Sequence, residues 1–499
     1  MIGNCKHFEI CGLPDDADPE SGLCILHAKK PGKSIEKFAA ALETHRKKNG
    51  NNFSYIVFPE YHQFVRAVFA EEANFSGATF TEIADFSKAT FTKEVNFLGV
   101  TFNKMAIFHG ATFTMKAVFH GIRFSDVVDF SNATFTEGVG FISATFTDVA
   151  RFHETRFIGE VYFQKATFNK EALFLSANFN GESHFNLAIF TEQANFSGAG
   201  FTKGVDFSDA KFGEEINFVG TIFHGANFYK AIFSGGGNFQ EAAFKGGLAD
   251  FRFSLLQGKT LFSSRREGNQ VIPIFSGVEV NFKQVVIDPP DGLALIEADL
   301  SKCLFQDTDL QKVRFTGVTW RRIHGRLGVY DETFLEKGKA GPWERVERLY
   351  RELKKNYEEG RDYERAGHFH YGEKEMRRRN PEAPFGLRFL LTLYWLVSGY
   401  GERCWRPLFW IVALWAISTF GYLKWGLLEE NEFGQPLFLT SWWDWLSAII
   451  YSFRVTMLLK PTNFMPVDPL GTAINTIQSI IGPILIGLFA LAVRQRLKR

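Results

Sequence analysis

Phenylalanine recurs at an almost constant spacing through more than a third of this 499-residue chain. Between Phe64 and Phe244 the steps from one phenylalanine to the next alternate between five and six residues, which gives a full period of eleven. The chain has 56 phenylalanines, and this one segment holds many of them. A short fixed period indicates a repeat architecture rather than a globular domain with a single irregular core.

The residues around each phenylalanine favour an extended backbone. A small apolar residue often stands two positions before it, as in Ala78-Thr79-Phe80 and Ala84-Asp85-Phe86. Two apolar positions separated by one residue lie on the same side of a strand. An eleven-residue period also occurs in right-handed coiled coils, but this segment is rich in glycine and threonine and lacks their i,i+4 charge pairs. The pattern therefore predicts short strands.

This pattern resembles the pentapeptide repeat, whose unit is Ala-(Asp/Asn)-Leu/Phe followed by two variable residues. The resemblance implies a right-handed quadrilateral β-solenoid in which phenylalanine fills the centre of each face. Four faces of five or six residues give about 22 residues per coil, so 64–244 is expected to form about eight coils in a rod roughly 40 Å long. The steps between Phe218 and Phe233 omit one residue, and we expect a local irregularity there.

The predicted solenoid continues beyond this regular part. The repeat weakens in 250–295, where three prolines predict loops or an irregular coil, and a five-residue step then resumes from Leu300. We therefore assign 64–325 to the solenoid and 33–63 to a helical lead-in and cap. The segment 64–244 has 13 basic and 19 acidic residues, a net charge of −6, and the whole chain carries +1. Neither value favours a DNA mimic or a nucleic-acid partner.

The N-terminal segment 1–32 contains a cluster of potential metal ligands: Cys5, Cys11, Cys24 and His27. Three thiolates and one imidazole would complete a closed tetrahedral zinc site, and a segment this small has too little core to fold without such a link. His7 could replace one of these ligands. The cluster predicts structural zinc, and the alternative is a disordered tail with incidental cysteines.

The pattern becomes helical at 343–379. Val346, Leu349, Tyr350 and Leu353 recur at helical spacing and predict one buried face. The segment resembles a helical hairpin of the tetratricopeptide type, which links solenoid and membrane parts in some bacterial proteins.

The remaining sequence predicts a membrane domain. Segments 405–425 and 473–493 are apolar and long enough to cross a bilayer, whereas 385–400 is too short and is expected to lie at the interface in contact with lipid. Basic residues flank the outer ends of the two spans, and acidic residues occupy the loop between them. The positive-inside rule then predicts a multi-pass protein of the bacterial inner membrane with both termini in the cytoplasm.

The two spans enclose a shorter apolar helix, predicted at 442–458. This layout resembles that of two-helix pore-loop channels, in which the short helix re-enters the membrane. Ser452 and Thr456 stand roughly where that family has its pore-helix serine and threonine, but the carbonyl ladder for potassium is absent. Arg454 and Lys460 are the charges in the corresponding run, and rings of such cations would favour anions.

The candidate pore and filter residues come from two places. Those in the predicted pore loop are Arg454, Thr456, Leu458, Leu459, Lys460 and Pro461, and the polar ones in the second span are Asn475 and Gln478. Gly482 and Pro483 predict a kink that could act as a gate hinge, although helix packing accounts for it equally well. Arg454 could instead form a structural ion pair with Asp444 or Asp468.

The sequence as a whole predicts a multidomain homo-oligomeric ion channel that is not selective for potassium. A tetramer is favoured and a pentamer is open, since one subunit supplies only one wall of a pore. The alternative is a membrane-anchored scaffold that conducts nothing. No nucleotide-binding, hydrolase or metalloprotease motif occurs, so an enzyme is not expected.

Overall fold

The computed structural model describes residues 6–7, 23–29, 33–60, 62–268, 270–336, 339–425, 427–429, 442–459, 464–466 and 468–497. The chain divides into two compact units. The first comprises 1–325 with 329–333, and the second comprises 326–328 with 334–499. Each unit is described by itself.

The first unit is a β-solenoid of about 12 turns built from four parallel sheets. Each regular coil contributes one two-residue strand to every sheet. Each residue of a strand pairs with the residue 22 positions later in the next coil, as Val57 does with Thr79. In Ala84-Asp85-Phe86 the alanine and the phenylalanine are buried and the aspartate between them points outward. The predicted strands, with the small residue and the phenylalanine on the inner side, are therefore confirmed.

The first two sheets extend through most of the solenoid. The first contains Val57–Phe58, Thr79–Phe80, Thr101–Phe102, Arg123–Phe124, Thr145–Phe146, Thr167–Phe168, Ile189–Phe190, Lys211–Phe212, Ile232–Phe233, Leu255–Gln257 and Val286–Asp288. The second contains His62–Gln63, Ala84–Asp85, Ala106–Ile107, Val128–Asp129, Ala150–Arg151, Ala172–Leu173, Ala194–Asn195, Ile216–Asn217, Gly237–Phe239, Thr260–Ser263, Leu293–Ile296 and Arg314–Thr316.

The other two sheets differ in length. The third contains Val68–Phe69, Thr90–Phe91, Thr112–Phe113, Thr134–Phe135, Arg156–Phe157, Asn178–Phe179, Gly200–Phe201, Ile222–Phe223 and Ala243–Phe244. The fourth contains Ala73–Asn74, Val95–Asn96, Ala117–Val118, Val139–Gly140, Val161–Tyr162, Ser183–His184, Val205–Asp206, Ala226–Asn227, Leu248–Asp250, Glu279–Asn281 and Cys303–Leu304. The regular strands begin at Val57, seven residues before the predicted start, because Phe53 and Phe58 already occupy repeat positions and stack on Phe75 and Phe80.

The core consists of columns of stacked phenylalanine rings. Phe80 lies over Phe102 with ring centroids 4.8 Å apart, and Phe86 lies over Phe108 at 4.9 Å. Neighbouring columns meet edge to face, as Phe86 does with Phe97 at 5.7 Å. Both arrangements are favourable for aromatic quadrupoles, which explains why phenylalanine can occupy the central positions of coil after coil.

The predicted irregularity near Phe218–Phe233 is a coil that lacks one residue. Lys211 pairs with Ile232, 21 positions later, and Ile232 pairs with Leu255, 23 positions later. The following coil is therefore one residue longer, and the register is restored. Gly247 in the longer corner lies directly over Gly225 in the shorter one, with no room for a side chain between them.

The predicted irregular region 250–295 still contributes strands to three sheets. Its extra length is accommodated by an antiparallel hairpin of Arg265–Glu267 and Gln270–Ile272, which follows the end of the third sheet. A further strand, Arg321–Ile323, comes near the end of the unit.

Both ends of the solenoid are covered. Helix α1, Ile35–Asn49, places Phe38 against Phe58 of the first coil, with ring centroids 6.0 Å apart. At the other end, Asp331 of the 3₁₀ turn Tyr330–Phe334 accepts hydrogen bonds from the backbone N–H groups of Phe305 and Gln306. Burial raises the pKa of Asp331, and these hydrogen bonds oppose the rise. Such caps protect strand edges from pairing with other chains.

The second unit is helical. After strand Arg326–Gly328 it contains α2 (Trp343–Glu359), α3 (Tyr363–Arg379), α4 (Phe385–Ser398), α5 (Trp405–Trp425), α6 (Trp442–Thr456) and α7 (Pro469–Leu497). Short strands Leu427–Glu429 and Phe464–Pro466 flank α6 along the chain. Helix α7 begins four residues before the predicted span and continues four residues beyond it, whereas α6 ends two residues early.

Helices α2 and α3 form an antiparallel hairpin in 343–379. The predicted face of α2 is buried, including Val346, Leu349, Tyr350 and Leu353. A side chain at Gly372 of α3 would come within 2.6 Å of the Tyr350 ring, so glycine allows the two helices to approach closely.

Helices α5 and α7 meet the length and composition expected of membrane spans. The qualifying segments are Trp405–Trp425, with 21 residues, and Pro469–Arg494, with 26. Helix α4 is apolar but has only 14 residues, too few to cross a hydrocarbon core of about 30 Å.

Candidate functional site

The short helix α6 packs between the two candidate spans. Tyr422 and Leu423 of α5 form a buried apolar cluster with Leu427 and with Ala448 and Tyr451 of α6. The rings of Tyr422 and Tyr451 meet edge to face at 5.0 Å. Apolar side chains from α5 and α6 thus fix one side of the short helix.

A buried hydrogen-bond network fixes its other side. The amide nitrogen of Gln478 in α7 lies 2.8 Å from the backbone oxygen and the hydroxyl of Ser452, and 2.7 Å from the hydroxyl of Thr456. The amide oxygen of Gln478 accepts a hydrogen bond from the Tyr422 hydroxyl at 2.8 Å. All four side chains are buried. One glutamine therefore links all three helices, and its polar atoms are satisfied inside the unit.

Trp415 adds a second connection between α5 and α6. Its indole N–H donates to the backbone oxygen of Ile449 at 3.1 Å, and its own backbone oxygen accepts from the Ser452 hydroxyl at 3.1 Å. Trp415 is the central residue of α5, so α6 is attached halfway along the first candidate span.

The C-terminal end of α6 meets the middle of the second candidate span. A Cβ atom at Gly482 would lie 2.9 Å from the backbone oxygen of Thr456, so glycine is needed for this approach. Gly482 is near the centre of Pro469–Arg494. Helix α6 therefore ends at mid-span rather than at either end of α7.

The chain segments before and after α6 lie next to each other. Strand Leu427–Glu429, which follows α5, pairs antiparallel with strand Phe464–Pro466, which precedes α7. The segment that contains α6 thus starts and finishes beside the C-terminal end of α5.

The predicted filter residues of the pore loop that the structure describes lie at the end of α6. Arg454 is half-buried and forms no ion pair with any side chain in the described part of the chain, so pairing with Asp468 is not seen. Leu458 has a left-handed backbone, with φ of 53°, and Leu458 and Leu459 are exposed. Lys460, Pro461 and the side chain of Asp444 lie outside the described residues.

The polar residues predicted for the second span have different surroundings. Gln478 belongs to the buried network, whereas Asn475 is half-buried and accepts a long hydrogen bond of 3.4 Å from Tyr451. Helix α7 continues without a break through the predicted hinge at Gly482 and Pro483. Whether these residues line a pore or move with a gate stays a prediction.

A charged cluster joins the hairpin to the chain that follows α4. The Glu375 carboxylate of α3 accepts from Arg378 at 2.7 Å, from Arg379 at 2.6 Å and from the Tyr400 hydroxyl at 3.1 Å. Burial alone would raise the pKa of Glu375, but the hydrogen bond and charge of Arg378 with the charge of Arg379 bring it below its usual value. Burial and the charge of Glu375 raise the pKa of Tyr400.

Trp395 of α4 is the centre of this junction. Guanidinium groups of Arg378 from α3 and Arg406 from α5 lie over its ring at 4.9 and 4.8 Å. Its indole N–H donates to the Tyr371 hydroxyl at 2.8 Å, and its backbone oxygen accepts from Arg406. Three helices are therefore held together by one tryptophan between two cations.

The sequence-based prediction did not identify Tyr422, Trp415, Glu375 or Tyr400. A signal was present for the first two, since a tyrosine or tryptophan inside an apolar span needs a partner for its polar atom when it is buried. Glu375 and Tyr400 are 25 residues apart and gave no local signal.

The structure brings together two of the four predicted zinc ligands. The Cys24 sulfur lies 3.1 Å from Nδ1 of His27, and both residues are buried. The His7 and His27 rings are 4.9 Å apart. Cys5 and Cys11 lie outside the described residues, and no group of three potential ligands is found within the described ones. The zinc site stays a prediction.

Comparison with known proteins identifies the repeat. The family described as pentapeptide repeats (9 copies) matches 64–112, 108–156, 141–188, 163–211 and 185–232. No curated protein and no solved structure matches the chain. Residues 64–232 therefore carry pentapeptide repeats, as the spacing of their phenylalanines predicts.

Proposed function

We propose that the chain is a subunit of a homo-oligomeric ion channel of the inner membrane, with a right-handed quadrilateral solenoid as a cytoplasmic sensor or docking domain. The observation that carries the proposal is the path of the chain around α6. This path leaves the end of α5, reaches the middle of α7 at Gly482, and returns to pair with Leu427–Glu429. A short helix that enters halfway and returns to the same side has the geometry of a re-entrant pore helix.

The buried network supports the same interpretation. A helix end in a bilayer leaves backbone carbonyl groups without partners, so non-helical backbone is tolerated only inside protein or beside water. The Gln478 amide holds the last turns of α6, and the end of α6 exposes Leu458 and Leu459 at that depth. A surface-lying helix would need none of these polar contacts with a span.

Arg454 is our candidate for the residue that selects ions. It lies within the last turn of α6, half-buried, with no ion pair to a described side chain. Repeated by symmetry around a pore axis, four or five such cations would attract anions and repel cations. We therefore propose that the channel conducts anions.

Measurements of ion current across a lipid bilayer test this function. Purified full-length protein is placed in planar bilayers under a chloride salt gradient, together with Arg454→Gln and, as a control, Arg388→Gln on α4. We expect a reversal potential near the chloride value for the parent and the control, and a shift towards the cation value for Arg454→Gln. A cation-side reversal for the parent would exclude the arginine ring while retaining the channel.

The second candidate is a membrane-anchored scaffold that does not conduct. The contacts of Trp395 with Arg378 and Arg406 support it, because an anchor also needs its apolar helices to be held to the hairpin. Bilayers that stay silent with both the full chain and a chain lacking 1–342 would support the scaffold and contradict the channel.

A further inference from the structure

A cavity at the base of the hairpin has charges of both signs around it. Its volume is about 370 Å³, and it is lined by α2, by the end of α3 and by the start of α4. Small-molecule sites have volumes of about 300–1,000 Å³, so this one suits a small polar group. Pro384, which precedes α4, and Leu387 in its first turn form one wall.

Part of the lining is neutralised by the protein itself. Arg351 donates to Glu347 at 2.6 Å, and its Nε atom lies 3.4 Å from the Glu373 carboxylate. These groups neutralise one another along one side of the cavity. A ligand would gain little by competing with ion pairs that are already made.

Four other charged side chains on the lining have no such partner. Arg348 and Arg377 are exposed and form no ion pair among the residues for which the structure gives positions. The same holds for Glu344 and Glu382. Glu344 and Arg348 are one turn apart on α2, yet they do not pair. The cavity thus presents two free cations and two free anions.

The cavity opens beside the helix that we assign to the membrane surface. Phe385, Phe389 and Leu390 of α4 are strongly exposed, with Phe385 at 81%. Large exposed apolar side chains on a short helix are typical of insertion at the interface between lipid headgroups and acyl chains. The cavity is therefore at the depth where headgroups lie.

We infer that this cavity binds the phosphoethanolamine headgroup of a zwitterionic phospholipid. Arg348 and Arg377 bind the phosphate, because guanidinium groups match phosphate oxygens in charge and geometry. Glu344 and Glu382 bind the ammonium, which offers three N–H donors. A choline headgroup has the same charges but no N–H donor, and a phosphoglycerol headgroup has no cation. The inference rests on the proposed membrane location of α4.

Binding of short-chain lipids to the full-length protein in detergent tests this assignment by calorimetry. The probes are dihexanoyl phosphatidylethanolamine, phosphatidylcholine and phosphatidylglycerol, with free phosphoethanolamine and inorganic phosphate to separate lipid from soluble sources. We expect phosphatidylethanolamine to bind one site per chain, at least about tenfold more tightly than each other probe. Equal binding of phosphatidylethanolamine and phosphatidylcholine would overturn the inference, and tighter binding of either soluble probe would reassign the site to a free ligand.

Paired variants assign the two halves of the headgroup. Arg348→Gln with Arg377→Gln should weaken phosphatidylethanolamine binding about tenfold or more. Glu344→Gln with Glu382→Gln should remove its advantage over phosphatidylglycerol. The control is Lys355→Gln with Glu358→Gln, two exposed positions on α2 away from the cavity, and it should bind like the parent. Parent-like binding by both cavity pairs, with unchanged thermal unfolding, would contradict the proposed site.

Flotation with liposomes separates this inference from the membrane proposal. If the membrane proposal fails, the protein does not float with liposomes of any composition. If only the headgroup assignment fails, the protein floats with all compositions and the calorimetric preference is absent.

Discussion

Gln478 shows how much one side chain can organise in this protein. It is fully buried, and each polar atom of its amide has a partner on another helix. Interhelical hydrogen bonds in membranes contribute about 0.6–2 kcal/mol each, so the energetic value of the network is modest. Its stronger effect is on specificity, because it permits only one register of α6 against α7.

Replacement of Gln478 by leucine should destabilise the helical unit. The change leaves the hydroxyl groups of Tyr422, Ser452 and Thr456 without the amide, and we expect a loss of roughly 2 kcal/mol. Thermal unfolding in lipid nanodiscs measures it. The matched control is Thr476→Val on the same helix, since Thr476 is exposed and, among the residues with described positions, its hydroxyl bonds only to Thr472 of its own helix. Equal midpoints for both variants would show that the network contributes no stability.

At the scale of elements, the shortened and lengthened coils of the solenoid form a matched pair. The corner at Gly225 has lost one residue, and the corner at Gly247 has gained one. The close approach of the two glycines makes the fit possible. Without it, the longer corner would be pushed away from the coil below.

Gly247→Ala should therefore be more destabilising than Gly246→Ala. Both glycines have positive φ, 69° and 75°, so both variants carry a backbone cost of about 1–2 kcal/mol. A Cβ at Gly247 also comes within 2.8 Å of the Gly225 Cα atom, whereas at Gly246 it meets no atom within 4 Å. We expect about 1–3 kcal/mol more for Gly247→Ala. Denaturant unfolding of the solenoid compares the two, and equal losses would exclude the steric contribution.

At the scale of the whole molecule, the proposed function requires a defined topology. In the proposed topology, the solenoid and both termini face the cytoplasm, and the return strand Phe464–Pro466 faces the other side of the membrane. A membrane-impermeant maleimide added to intact spheroplasts should label Met465→Cys but not Lys104→Cys in the solenoid. Lys104→Cys should react only after the membrane is opened. The unsubstituted chain gives the background of native thiols, and labelling of both variants in intact spheroplasts would contradict this topology.

The sequence was sufficient for the solenoid but not for the contacts between helices. The phenylalanine spacing and the small residue two positions earlier predicted the short strands and the irregularity near Phe218, and the resemblance to the pentapeptide repeat implied the solenoid. The boundaries of α5 followed from apolar length alone. The contact of Thr456 with Gly482 depends on how helices pack, and a single sequence carries no direct signal for it. The cavity at Arg348 and Arg377 was equally hidden, because its lining comes from three separate helices.

The two altered coils also have a consequence for how such a chain can change over generations. Together they contain 44 residues, the length of two regular coils, from Lys211 to Leu255. The core columns nevertheless stay in register after the shortened corner, because Phe228 and Phe239, which follow it, still stack on Phe207 and Phe218 of the preceding coil. A one-codon deletion at such a corner is thus absorbed locally and does not act on the rest of the repeat as a frameshift acts on a reading frame.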